Sequence, residues 1–316
     1  MISVVGFNTA IDRRVDVDTL RPGQVQRAVS VRSRPGGKGL HVAETVAALG
    51  EPVRLVGLAD TEHATQLHNR LGAHGVGWLP VSTTHPLRQC LAIHEADGRV
   101  TEVLESGGTL APAVCEALLD AARAAIEGSD VVVFTGSLPH GIQPVAYAQL
   151  IRDASARGVR CLLDASGDVL RTGVGAKPWL VKPNADEAAL LIGRPVHGLD
   201  DAADCARWLY RNGVARCVVT LGARGAVGFD GAALWHATSG TVEVRSSVGS
   251  GDCFLAGLAV AAVRGEPIED ALRQAVACGA ANAENTEDGV APPERVAAWL
   301  KRTTLAPLPM VPEVAP

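Results

Sequence analysis

Apolar positions along this chain fall into two alternating kinds of run. Short, mostly apolar stretches at 2–7, 53–58, 131–134, 159–164, 179–182 and 217–221 show no steady polar alternation, the pattern of strands buried on both faces. Between them, 40–49, 113–126, 144–156, 187–191 and 202–212 carry apolar residues at helical spacing. Gly50, Gly128, Gly158 and Gly213 follow such stretches as stop signals. This alternation predicts an α/β fold, a mostly parallel sheet with helices on both faces. Two segments depart from it. Residues 13–34 are polar, with Val-x-Val pairs at Val15/Val17 and Val29/Val31, and 87–104 read as two strands around Ala96-Asp97-Gly98. They predict a small antiparallel sheet, a lid inserted as 13–34 and 84–106 into a core of 1–12, 35–83 and 107–304. The prolines at 307, 309, 312 and 316 predict an unstructured tail over 305–316.

Composition narrows the class. With 47% apolar residues the chain can bury a large core, so disorder is excluded for most of it. Lys plus Arg number 29 against 34 Asp plus Glu, a net charge of −5 and the wrong sign for a protein that neutralises nucleic-acid phosphates. Seven scattered cysteines with no C-x-x-C point to reduced thiols in the cytoplasm rather than disulfides or zinc. Charged residues follow the first apolar run at once, and no uncharged apolar run reaches the roughly 18 residues a membrane span needs. A soluble cytoplasmic protein is expected.

The strongest candidate chemistry is Ser246-Ser247-Val248-Gly249-Ser250-Gly251-Asp252, followed by the nearly all-apolar 253–263 and then Gly265. A buried helix with a Gly-rich loop at its N-terminus presents free N–H groups and a dipole to an anion. Asp252 is then either a helix cap or a base beside an anion hole. Familiar nucleotide motifs fail. Lys38 in Gly36-Gly37-Lys38-Gly39 is followed by Gly rather than Ser or Thr, and Phe254 stands where a dinucleotide fingerprint needs its third glycine.

Six segments in series resemble the PfkB (ribokinase-like) carbohydrate kinases from about residue 3 to residue 300. They are Asn8-Thr9-Ala10-Ile11-Asp12, Arg34 to Ala43, Thr135 to Gly141, Asp164-Ala165-Ser166-Gly167, Lys182-Pro183-Asn184-Ala185-Asp186-Glu187 and Ser247 to Asp252. The chain is most similar to the branch holding 1-phosphofructokinases and tagatose-6-phosphate kinases. The resemblance implies a ribokinase-like fold, ATP and Mg²⁺, and a homodimer formed through the lid. It implies that Asp252 is the general base and that the N–H groups of Gly249, Ser250 and Gly251 form the anion hole. Asn184 and Glu187 would position Mg²⁺ through water, although Asn184 can also be read as a helix cap. Thr220, Gly222, Gly225 and Asn285 would border ATP. Asp12, at the end of the first strand, would hold sugar hydroxyls above Gly37 and Lys38, with Arg88 and Ser137 at the phosphate already on the sugar.

Two residues depart from the branch on the sugar side, His41 and Cys90, each standing where Asn is usual. An imidazole of ordinary pKa, about 6.5, would make sugar binding vary between pH 6 and 8. The implied reaction is ATP-dependent phosphorylation of a sugar phosphate, fructose 1-phosphate first. Tagatose 6-phosphate, fructose 6-phosphate, another sugar or a nucleoside are alternatives, as is a sugar-phosphate sensor without turnover.

Overall fold

The computed structural model describes residues 1–287 and 289–310. The chain starts with β1 (Ile2–Val5), β2 (Ala10–Val17), β3 (Ser30–Gly36), α1 (Lys38–Ala48), β4 (Val53–Asp60), α2 (Ala64–Ala73) and β5 (Gly77–Thr83). It continues through β6 (Arg88–Glu95), β7 (Val100–Leu104), α3 (Pro112–Ile126), β8 (Val131–Thr135), α4 (Ala146–Ser155), β9 (Arg160–Asp164) and α5 (Gly167–Val174). Then come β10 (Leu180–Val181), α6 (Ala185–Ile192), α7 (Leu199–Arg211), β11 (Arg216–Thr220), β12 (Ala226–Phe229) and β13 (Leu234–Thr238). The last elements are α8 (Ser250–Arg264), α9 (Ile268–Ala283), α10 (Pro293–Arg302) and β14 (Thr304–Pro307).

Ten strands form the large sheet in the order β14-β13-β12-β11-β10-β9-β8-β1-β4-β5. From β5 to β11 neighbours run parallel, and β12, β13 and β14 close one side antiparallel. The parallel strands are apolar because both of their faces are covered; Ile2, Val4, Val5 and residues 131–134 have no exposed surface. Chain order reverses at β1. Successive strands add outward on one side as β4 and β5, and on the other as β8 to β11. In open α/β sheets the crevice at such a reversal, beyond the carboxyl ends of the strands, is where ligands sit. Helix α8 is buried along almost its whole length, which is why 253–263 shows no polar face, and Gly265 ends it in a left-handed conformation (φ 72°).

The small sheet has the order β3-β2-β6-β7. Its two hairpins are antiparallel as expected, but the pair that joins them, β2 and β6, is parallel, from Ala10↔Arg88 to Val17↔Glu95. The reason lies in the core. β2 follows β1 and β6 follows β5, and those two strands run in the same direction, so the chains leaving them do too.

The sequence reading needs two corrections. Asp12 does not end the first strand; β1 stops at Val5, and Asp12 sits on lid strand β2, cross-strand from Cys90 and Arg34. The tail also begins later than residue 305. Thr304–Pro307 is an edge strand pairing with β13, from Thr238↔Thr304 to Trp235↔Pro307. Proline is tolerated there because an edge strand needs donors on one side only. Of the expected tail, 311–316 lie outside the described residues.

Candidate active site

A cleft of about 700 Å³ opens between the carboxyl ends of the parallel strands and the inner face of the lid. That is ample for a sugar phosphate with part of a nucleotide. Its floor carries Ser137 after β8, Asp164 at the end of β9, Lys182 after β10 and Thr220 at the end of β11. The lid side carries Asp12, Arg34, Arg88 and Cys90.

Asp252 enters the cleft from the first turn of α8. Gly249 caps that helix in the left-handed region (φ 78°), and a β carbon there would overlap Gly289. Gly249 and Gly251 line the cleft beside Asp252; Ser250 does not. The N–H of Ser250 donates to Ser247 O at 3.2 Å and its hydroxyl lies 2.8 Å from Asn282 Nδ2, so of the three N–H groups expected to face an anion that of Ser250 is already engaged. Asn282, fully buried, went unnoticed in the sequence. Its amide also donates to Val248 O (2.9 Å) and accepts from Val290 N–H (2.8 Å), stitching the Gly-rich loop to the segment after α9.

Asp12 and Asp252, 240 positions apart, meet through one side chain. His41 Nε2 lies 2.8 Å from Asp12 Oδ2 and Nδ1 lies 2.9 Å from Asp252 Oδ2. The N–H of Gly37 adds a 3.4 Å bond to Asp12 Oδ2, and Gly36 lies so close that any side chain there would strike the Asp12 carboxylate. Burial pushes the His41 imidazole down, but the charge of Asp12 and hydrogen bonds to both carboxylates outweigh it and raise its pKa to about 10. Burial pushes Asp12 up, yet His41, Arg34 and Gly37 hold it below the ordinary carboxylate value. With its pKa raised to about 10, His41 is not expected to titrate between pH 6 and 8, and no change of sugar binding in that window is expected from it.

Asn8, in the turn after β1, organises the next group. Its side-chain amide donates to Ser137 Oγ (2.9 Å) and Ser106 O (3.0 Å), and its backbone carbonyl accepts from Arg88 Nε (3.1 Å). Another Arg88 N–H goes to Glu105 O, which fixes the guanidinium at the cleft wall. Arg88 and Ser137 are thus brought together by a residue to which the sequence reading assigned no role.

Farther along the floor, buried Asp164 receives Lys182 Nζ at 3.2 Å and Lys38 Nζ at 3.4 Å. Lys38, expected beneath the sugar, lines the cleft with its ammonium turned to Asp164. The Asp164 charge is the main cause holding the Lys38 ammonium protonated. Burial pushes Asp164 up, and the two lysines pull it below its ordinary value. Asn184 does cap α6. It exchanges reciprocal 2.9 Å bonds with Glu187, whose carboxyl is pushed up by burial. Thr220 lines the cleft, whereas Gly222 and Gly225 belong to the turn beyond β11 and do not. Asn285 is not brought to the cleft either; its amide meets Val290 O and the N–H of Thr286.

The model of the pfkB family of carbohydrate kinases matches residues 1–295. A 1-phosphofructokinase of Rhodobacter capsulatus is 33% identical over 98% of this chain and 99% of its own length. The 1-phosphofructokinase of Escherichia coli K12 is 29% identical over 97% and 98%. The crystal structure of Escherichia coli phosphofructokinase-2 in complex with substrates and products superposes with a TM-score of 0.88 at 26% identity, covering 95% of this chain and 98% of that one.

Proposed function

Because the chain belongs to the pfkB family of carbohydrate kinases, we propose that it transfers the γ-phosphoryl group of ATP to the free primary hydroxyl of fructose 1-phosphate, forming fructose 1,6-bisphosphate. One observation carries this reading. A cationic and hydroxyl pair, Arg88 and Ser137, stands in the same cleft as a carboxylate at a helix N-terminus, Asp252. The first pair suits the phosphate already on the sugar, since a guanidinium can engage two phosphate oxygens at once. The second suits the reacting hydroxyl.

In this reading the acceptor hydroxyl gives its proton to Asp252 while its oxygen attacks the γ-phosphorus. The bond from that phosphorus to the β–γ bridging oxygen breaks, and ADP leaves. The N–H groups of Gly249 and Gly251 receive the charge spread over the transferring group. Lys38 and Lys182 add positive charge at the nucleotide end, and Thr220 borders the nucleotide. Mg²⁺ fits the donors present. Asn184 Oδ1 and the Glu187 carboxylate are hard oxygen donors with one charge between them, and of the two only Asn184 lines the cleft, so phosphates and water would complete the shell. When bound, the ion supplies charge that polarises the β- and γ-phosphate oxygens. ATP supply and seven free cysteines favour the cytoplasm.

ADP release measured over fructose 1-phosphate, fructose 6-phosphate and tagatose 6-phosphate tests this. The highest kcat/KM belongs to fructose 1-phosphate. A higher value for either 6-phosphate would overturn the substrate assignment, and no release with any phosphorylated sugar would favour a sensor.

A further inference from the structure

His41 joins two elements that approach from opposite sides of the site, lid strand β2 and core helix α8. The ring is 3% exposed, so water does not compete for its nitrogens. Each nitrogen faces a carboxylate oxygen, at 2.8 and 2.9 Å, and an ionised carboxylate can only accept. A neutral imidazole has one N–H, and its second nitrogen would turn a lone pair onto an oxygen lone pair. Two N–H groups satisfy both contacts. Room for the ring is built in, because a β carbon at Gly289 would run into His41 Cδ2.

We propose that His41 is a positioning residue for phosphoryl transfer, a doubly protonated ring that yokes Asp12 on the lid to the base Asp252 on the core. The proposal rests on the kinase reading above and deepens it. With Oδ2 of Asp252 held by the ring, Oδ1 is the atom left for the acceptor proton, and the carboxylate cannot swing away from the anion hole. Asp12, ring and Asp252 together carry one negative charge; an asparagine at position 41 would leave two, where phosphates must bind. The surrounding charges do not displace the ring. Arg34 on β3 acts on Asp12 and pairs with Glu287 at 3.9 Å, and Lys38 acts on Asp252. Glu44, further along α1, is held by Arg70 of α2 at 2.6 Å. His41 keeps both protons while the acceptor proton goes to Asp252 and ADP departs.

Two measurements test it. In ¹⁵N-labelled free protein, the histidine signal absent from His41→Asn should report protons on both ring nitrogens from pH 6 to 9. A singly protonated ring at pH 8 would overturn the proposal whatever the activity. In turnover, His41→Asn and His41→Gln should lower kcat about 10- to 100-fold, the scale of a misplaced reacting group, with KM for ATP within about twofold. The kcat of wild type should fall as pH rises through about 10, and both variants should lack that fall. Unchanged kcat, or a loss confined to KM, would overturn the positioning role. A wild type that phosphorylates no sugar phosphate would instead overturn the kinase reading, and the ring's protonation in the free protein tells the two failures apart.

Discussion

At the scale of single residues, Asp252 and Arg88 are proposed to act at different stages, and their variants separate the stages. Asp252→Asn keeps the shape of the α8 terminus and removes the proton acceptor. It should bind ATP normally and lose about 10²-fold or more in kcat. Single-turnover measurements check this, and an unchanged kcat would reject Asp252 as the base. In the proposed reading Arg88 would contact a part of the substrate that does not react, so its interaction would be the same in ground and transition states. Arg88→Ala should therefore raise KM for the sugar phosphate far more than KM for ATP, with kcat little changed. Equal shifts in both KM values would mean that Arg88 is not the phosphate clamp. Asp252 stands out in the sequence behind its Gly-rich loop, whereas Arg88 is picked out only by the family resemblance. Asn8, which sets the positions of Ser137 and Arg88, does not stand out, because its work depends on partners 80 and 129 positions away.

At the scale of elements, the carboxyl ends of β9 and β10 and the start of α1 share one buried charge network, in which Asp164 is 1% and Lys182 5% exposed. Removing Asp164 leaves two ammonium groups facing each other. Asp164→Asn should cost about 3 kcal/mol, the low end for breaking a buried pair because Lys38 is 42% exposed. Chemical denaturation at pH 7 measures it, and a loss near zero would show that the network contributes nothing. The pH dependence has a definite sign. The Asp164 carboxyl is held below its ordinary 3.8 in the folded protein, so its contribution is present above that value and lost as pH falls below it. The gap between wild type and variant should accordingly narrow under acid. Elements differ in how legible they were. Helix α8 could be read from its unbroken apolar run and terminal glycines. Strand β14 could not, since Pro307 and the prolines that follow signal loop and only the free edge of β13 makes it a strand.

For the whole molecule, the lid's outer face carries apolar side chains that the rest of the chain leaves partly uncovered. Val15 stands across from Val31 and Ile93, and Leu91 across from Val103, with Val31 and Val103 about half exposed. A four-stranded sheet with an apolar outer face and free edges invites cover by a second copy. A homodimer through the lid is the expected state, and Val103→Asp should shift it toward monomer in sedimentation. A wild type that is monomeric at micromolar concentration and fully active would refute this. What the sequence alone determined was the α/β class, the order of the segments around the cleft, the glycines of the two loops and the candidate base. Those are local properties, written in periodicity and in runs of a few residues. The tertiary structure alone decided that β2 and β6 run parallel, that the N–H of Ser250 is taken by Ser247 O and that Lys38 reaches Asp164. It also decided that His41 lies between Asp12 and Asp252, the placement on which the proposed charge of its ring rests. Charge state and hydrogen-bond partner follow from what folding brings within about 3 Å, and distance along the chain carries no record of that.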